Sequence, residues 1–392
     1  LLLTPERDTL LQSSKIQLGA APAALLKGEL RVNEIALHKT DFRFSTADSS
    51  LSLSASIHQF SIQNATVDLK KSHITLPDSR LDNGNIALVL RESAPDTSAT
   101  ESAPLPWSIS VGELGLSNIH YAMQMRPTIE NMDVSIENAS LRQGEIDLSR
   151  QSVRLSEVII DKGDYRYYPG SGGEDTDTPA PTENIDNDST ESSPWTIQVE
   201  KLRLHNNSAL YALPTQIPQK GLDLGYLSLS HIEIAIDSLY NRGGEIRAPI
   251  KQISFAERSG LAVTQTHGVF VMDSTGIALH DFQMQTALSK ITARLEAGND
   301  IFAQSPQTPV KADLQAQIAI GDIVTLFPQY SEYTRGLLLS SCLQSHISLY
   351  GELGDLHLKE GDVTLPEAFV CQATGNVQNL TQTDRLQGNL AW

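Results

Sequence analysis

One short apolar period constrains this chain more than any other feature of its sequence. It reads apolar–x–apolar–x–x–apolar–x–apolar, with the two central positions non-apolar. Copies stand at Leu30/Val32/Ile35/Leu37, Ala55/Ile57/Phe60/Ile62, Ile109/Val111/Leu114/Leu116, Val134/Ile136/Ala139/Leu141 and Val153/Leu155/Val158/Ile160. Others stand at Ile197/Val199/Leu202/Leu204, Leu227/Leu229/Ile232/Ile234, Ala248/Ile250/Ile253/Phe255, Ile277/Leu279/Phe282/Met284 and Val363/Leu365/Ala368/Val370. At 40% apolar content, independent positions would give on the order of four such windows, fewer than the ten found.

Alternation over each half describes a strand with one apolar face. The two central residues slip the phase by one, which in a regular strand would turn the second half's apolar set outward. A bulge or corner at pairs such as Glu200-Lys201 or Ser230-His231 would restore it, because an extra residue re-aims the side chains and bends the strand. A simple turn between two short strands accounts for the pattern equally well. Both readings give an all-β chain. Helix is expected only at Ala20–Lys27 and over Asp322–Phe327, where Pro328 stops it. The Tyr-rich stretch Asp164–Tyr168 reads as a strand end whose rings pack.

Two stretches break the pattern. Residues 92–106 are built from Ser, Ala, Thr, Pro and acids, and residues 170–194 carry seven carboxylates with no Lys or Arg. Neither can bury enough apolar surface to offset its ordering entropy, so both read as solvated loops, the second disordered. A ligand for a basic partner is the other reading of the acidic run. The chain then divides into a first β segment at 1–91, a second at 107–169 and a third at 195–392. After each loop the same words return. Residues 106–118 and 194–206 share Pro, Trp, Ile, Val, two Leu and Asn at an offset of 88, which is an internal repeat.

A formal charge of −18 argues against nucleic acid as a partner. No apolar run approaches the roughly 20 residues of a membrane span. No signal peptide opens the chain, and its two ends read like cuts in something longer. The ten histidines are scattered, and the motifs of zinc, phosphate and serine-nucleophile sites are missing. The chain is therefore read as a non-enzyme without metal or cofactor. Cys342 and Cys371 exclude a disulfide framework, but could pair with each other or sit apart.

A sheet with one apolar face must cover it, by closing as a barrel, packing on a second sheet or curling round a guest. Few aromatics and many Leu, Ile and Val suit flexible acyl chains, each methylene of which contributes about 0.8 kcal/mol on burial. The fold expected is an elongated, curled antiparallel sheet forming a U-shaped apolar groove. Candidate lining residues are Ile109, Val111, Leu114, Leu116, Ile197, Val199, Leu202, Leu204, Leu227, Leu229, Ile232 and Ile234.

Several stretches resemble one family. Asp8-Thr9-Leu10-Leu11, Lys15-Ile16-Gln17-Leu18, Leu25-Leu26-Lys27-Gly28 and Val32-Asn33-Glu34-Ile35-Ala36-Leu37 are similar to the early part of AsmA-like proteins of the TamB kind, in their Bacteroidota form. The Pro-Trp-x-Ile-x-Val strands, Ile253–Leu261, Asp273–Leu279 and the short helix before Pro328 fit the same pattern. The resemblance implies a periplasmic protein anchored to the inner membrane through a segment absent from this sequence. It also implies a lipid conduit, with phospholipid acyl chains as the guest, that carries phospholipid between the inner and outer membranes. The alternative it brings is an assembly factor for outer-membrane proteins, acting with a TamA-like barrel partner through its strand edges. A closed structural solenoid is a third reading of the period alone.

Overall fold

The computed structural model describes residues 2–3, 9–21, 28–46, 50–91, 106–126, 130–170, 194–214, 216–301, 303, 305–366, 368–379 and 387–391. Nearly all of them are strand, as the period requires. The chain forms two compact units, Leu1–Ile197 with Ser208–Ile217 and Gln198–Asn207 with Pro218–Trp392.

The first unit contains β1 (Leu2–Leu3), β2 (Thr9–Ala21), β3 (Glu29–Ser45), β4 (Leu51–Asp68), β5 (His73–Arg91), β6 (Ser108–Arg126), β7 (Glu130–Asp147) and β8 (Ser152–Tyr168). The two ends of β9 (Thr196–Ala212) also belong to it. Each of β1 to β8 pairs with the next in chain order. The second unit holds the middle of β9, then β10 (Tyr226–Arg242), β11 (Glu245–Glu257), β12 (Ala262–Asp273), β13 (Gly276–Thr286), β14 (Lys290–Gly298) and β15 (Pro309–Ala319). After β15 come the helix α1 (Ile320–Leu326), β16 (Cys342–Glu352), β17 (Asp355–Leu365), β18 (Phe369–Gln378) and β19 (Gln387–Ala391). Strands β10 to β19 pair in succession, all antiparallel.

The sheet is antiparallel, as expected, except at two junctions. Strands β5 and β6 run parallel, in register from His73 opposite Ser108 to Arg91 opposite Arg126. A parallel pair needs a connection long enough to return along the strand, and a hairpin cannot supply it. Residues 92–105, which connect the two strands in sequence, lie outside the described ones. Strands β8 and β9 repeat the arrangement. The Thr196 N–H donates to the Gln151 carbonyl at 2.8 Å, and Ser208 Oγ donates to Asp164 at 2.8 Å, so start lies beside start and end beside end. The connection between them, 170–194, lies almost wholly outside the described residues.

The phase slip in the period lies within one long strand, at a residue that the ladder passes over on both strands without a change of register. In β3–β4 the ladder passes over Asn33 and Asn64, and again over Lys39 and His58. In β5–β6 it passes over Pro77 and Gly112, then over Asn83 and Asn118. In β6–β7 and β7–β8 it passes over Gly112, Asn118, Glu137, Gln143, Ser156 and Lys162. Each strand thus has two skipped positions six residues apart, as at Gly112/Asn118 or Glu137/Gln143. The first is the central pair of the period. The second sits in the left-handed region, at φ 47° for Lys39, 55° for Asn64, 53° for Asn83, 51° for Asn118, 49° for Gln143 and 56° for Lys162. Asn tolerates that region better than most residues, which accounts for its recurrence here.

The turn reading holds only at the last copy. There Pro366 lies between β17 and β18, and the Ala368 N–H donates to the Leu365 carbonyl. The short helix expected near Asp322 is α1, and Pro328 opens the 3-10 turn that follows it. The other expected helix is not formed where it can be seen. Ala20 and Ala21 end strand β2, because the ladder with β3 still binds them, and residues 22–27 lie outside the described ones.

Candidate functional site

Because strands β3 to β8 slip phase at matching levels, the apolar sets of neighbouring strands stay aligned there. Seven strands of the first unit line up Leu11, Phe42, Ala55, Ile86, Tyr121, Val134 and Tyr165 as direct cross-strand partners. A second row runs Ile16, Leu37, Phe60, Leu81, Leu116, Ala139 and Ile160. A third, Leu30, Val67, Ile74, Ile109, Ile146 and Val153, lies on the other side of the first skipped level of β6. The opposite face carries Glu34, Gln63, Asp78, Glu113, Arg142 and Glu157 in one such row. The second unit repeats the segregation, with Ala248, Phe270, Leu279, Leu295, Ala312, Leu349 and Leu358 aligned across its strands.

Among the described residues the first unit has no helix and no strand outside this one sheet, so no second layer of secondary structure lies on the apolar face. The side chains report the same thing. In the row from Leu11 to Tyr165 only Val134 is buried, and the remainder are half-buried. Full burial concentrates just after the left-handed residues, at Thr40, Ala65, Gly84, Ile119 and Gly163, where the strand bends and its own neighbours close over it.

Of the twelve residues expected from the sequence, Ile109 and Leu116 belong to these rows, and Leu114 stands opposite Leu141. Ile109, Val111, Leu114 and Leu116 flank the first skipped position of β6 and are half-buried. Ile197 is 40% exposed in the first unit, whereas Val199 in the second is closed in at 6%. Leu202, Leu204, Leu227, Leu229 and Ile234 are half-buried, and Ile232 is buried directly after the left-handed His231. Sequence reasoning missed the part of each row beyond the second skipped level, such as Tyr121 and Met123 in β6. The signal was present, since alternation resumes after Asn118 with its phase slipped once more.

On the polar face, charges are paired across strands. Arg142 bridges Glu157 at 3.0 Å and Glu113 at 3.7 Å. The Lys162 ammonium donates to Glu137 at 2.9 Å, joining two skipped residues of neighbouring strands, and that contact raises the lysine above its ordinary pKa. In the second unit His346 lies between Glu360 at 3.0 Å and Asp313 at 3.4 Å. Burial works against its protonated form, but the two carboxylates outweigh that and raise its pKa. A hollow of about 550 Å³ in this unit is lined by Glu296 and Lys311 and also by the aligned apolar partners Ile277, Ala297 and Val310.

Tyr167 stacks on Tyr211 at 6.1 Å, and its hydroxyl donates to Glu130, so the Tyr-rich end of β8 is occupied in packing. Cys342 and Cys371 are free thiols. Among the described residues no group of three or more His, Cys, Asp or Glu could hold a metal ion, and no helix is long and apolar enough to cross a membrane. Comparison of the chain with protein-family models, with curated proteins and with solved structures found no match.

Proposed function

We propose that this chain is part of a lipid-transfer conduit, in which the apolar face of each unit shelters phospholipid acyl chains. One observation carries the reading: continuous apolar rows, six or seven strands wide, on a sheet that has no second layer among its described residues. Such a face in water is unfavourable, and among the described residues no packed sheet or helix covers it in the first unit. A bound acyl chain supplies the cover. The half-buried Leu and Ile side chains give it a lining without directional bonds, so many chain lengths fit. The polar face, with its paired charges, keeps the outside hydrated. The periplasm, the inner-membrane anchor and the TamA-like partner belong to this proposal through the sequence resemblance.

The test is native mass spectrometry of gently extracted protein. Phospholipid should be carried by the unaltered chain and lost from Leu116→Glu and Leu141→Glu, both half-buried on the apolar face. Val199 is a poor choice for this test, because its 6% exposure means a charge there would disturb packing as well. Protein free of lipid, or variants that retain it, would overturn the proposal.

A further inference from the structure

We infer that the segment following α1 in the second unit is a seat for the surface of a zwitterionic lipid bilayer. Phe327, Tyr330, Tyr333, Leu338 and Leu339 are all exposed, Tyr333 at 84% and Leu338 at 73%. The three rings succeed one another at 6.3 and 6.4 Å. Leu288, also exposed, joins them from the turn between β13 and β14. Leu288 and Leu339 both come against Gly321, where an added Cβ would lie 3.4 Å from one and 3.6 Å from the other. Single exposed leucines are ordinary, but six large apolar side chains exposed within one short segment and the turn beside it mark a contact surface.

The patch is held on a frame. The Asp322 carboxylate accepts from the Thr286 hydroxyl at 2.6 Å and the Ser289 hydroxyl at 2.5 Å. The Gly321 N–H donates to the Leu339 carbonyl at 2.8 Å, and the Leu222 N–H to the Leu326 carbonyl at 2.8 Å. These anchors come from the approach to β10, the β13–β14 turn and the approach to β16. The patch therefore borders the strand ends, where the apolar face of this unit stops.

Charge selects the occupant. The chain carries −18, yet between Phe327 and Ser341 the charged residues are Glu332 and Arg335 alone, paired at 3.3 Å. The segment is neutral, so it offers a partner protein no charged anchor. An anionic membrane would be repelled by the rest of the chain. Leucines with tyrosines, each an apolar ring carrying one hydroxyl, suit the boundary between headgroups and acyl chains. The inference deepens the proposed function and rests on it for its purpose, since it sets the border of the apolar face against the source or destination of lipid. Attachment to a bilayer is nevertheless measured separately from lipid carriage.

The experiment is flotation of the full chain with phosphatidylcholine vesicles. The unaltered protein should float with them, and the combined Leu338→Asp, Leu339→Asp variant should bind at least tenfold less. Tyr333→Asp should weaken binding too. These side chains are exposed, so melting temperature and lipid detected by native mass spectrometry should stay unchanged. Unaltered protein that stays at the bottom of the gradient, or variants that float as well as it does, would overturn the inference. So would variants that turn a dimer into a monomer and leave flotation intact, because a second copy would then be the occupant. Flotation that depends on these residues in a protein carrying no lipid would leave the seat standing and remove the conduit.

Discussion

Asn83 and Asn118 stand opposite each other in the parallel β5–β6 pair, at φ 53° and 51°, and the ladder passes over both. Asn118 is also the last residue shared by the internal repeat, and its counterpart Asn206 has φ 51°. The repeat therefore preserves a backbone conformation. A β-branched residue in the left-handed region costs about 1–2 kcal/mol. Asn118→Val should lower the chemical-denaturation stability of the chain by about that amount, whereas Asn118→Gly should change it by less than about 1 kcal/mol. Equal losses for the two variants would mean that the conformation is not what Asn118 supplies.

Pro77 and Gly112 form the other skipped level of the same pair. Proline has no N–H to give a ladder, and here none is required of it. Its carbonyl occupies the space where a Cβ on residue 112 would sit. Gly112→Ala should therefore destabilise by about 1–3 kcal/mol through overpacking against backbone. Gly115→Ala, three residues on, would place its Cβ 3.8 Å from the Arg80 side chain and should be nearly silent. Denaturation midpoints of the two variants check the contrast.

How far was this legible in the sequence? The first skipped level was, because the polar pair at Gly112-Glu113 or Glu137-Asn138 interrupts an otherwise regular alternation. The choice between bulge and turn was not, since both leave the same residues apolar. What decides it is pairing with strands distant in sequence, as where Leu116 meets Leu81 and Ala139. The parallel junction was hidden for the same reason. Residues 92–106 reveal their polarity, but not that the chain must travel back to His73 before Ser108 can pair. Val199 and Leu202 carry the same pattern, yet the first is buried and the second half-buried. The patch after α1 was not legible, since the spacing of Phe327, Tyr330 and Tyr333 does not say whether their rings are covered or open.

His346 should give the second unit a pH dependence. Its pKa is raised in the folded chain by Asp313 and Glu360 against an ordinary value of about 6.5. A raised folded pKa means that stabilisation is present below the unfolded value and is lost as pH rises through the folded one. The effect therefore belongs above the ordinary histidine value of about 6.5, as pH rises through the raised pKa. Stability should fall modestly across that window, and His346→Gln should flatten the fall. A proton NMR titration of His346 giving a midpoint at or below the ordinary value would contradict the arrangement.

Cys342 opens β16 and Cys371 lies in β18, with β17 between them. Cys371 pairs with Val363, which in turn faces Ser345, so Cys342 is further displaced along its strand. Two strand spacings alone amount to about 9.6 Å, beyond the roughly 7 Å that a disulfide spans. Thiol titration of the unfolded, unreduced chain should find two free groups. Finding none would require the β16–β18 register to be different.

The most direct measurement is site-specific photo-crosslinking from adjacent residues of β6, performed in cells. A photoreactive side chain at Leu114 or Leu116 projects from the apolar face, and one at Glu113 or Ser117 from the polar face. Phospholipid adducts at Leu114 and Leu116, with none at Glu113 and Ser117, are the expected result. Lipid adducts at all four positions alike, or polypeptide adducts alone at Leu114 and Leu116, would contradict the claim that this face is kept for acyl chains.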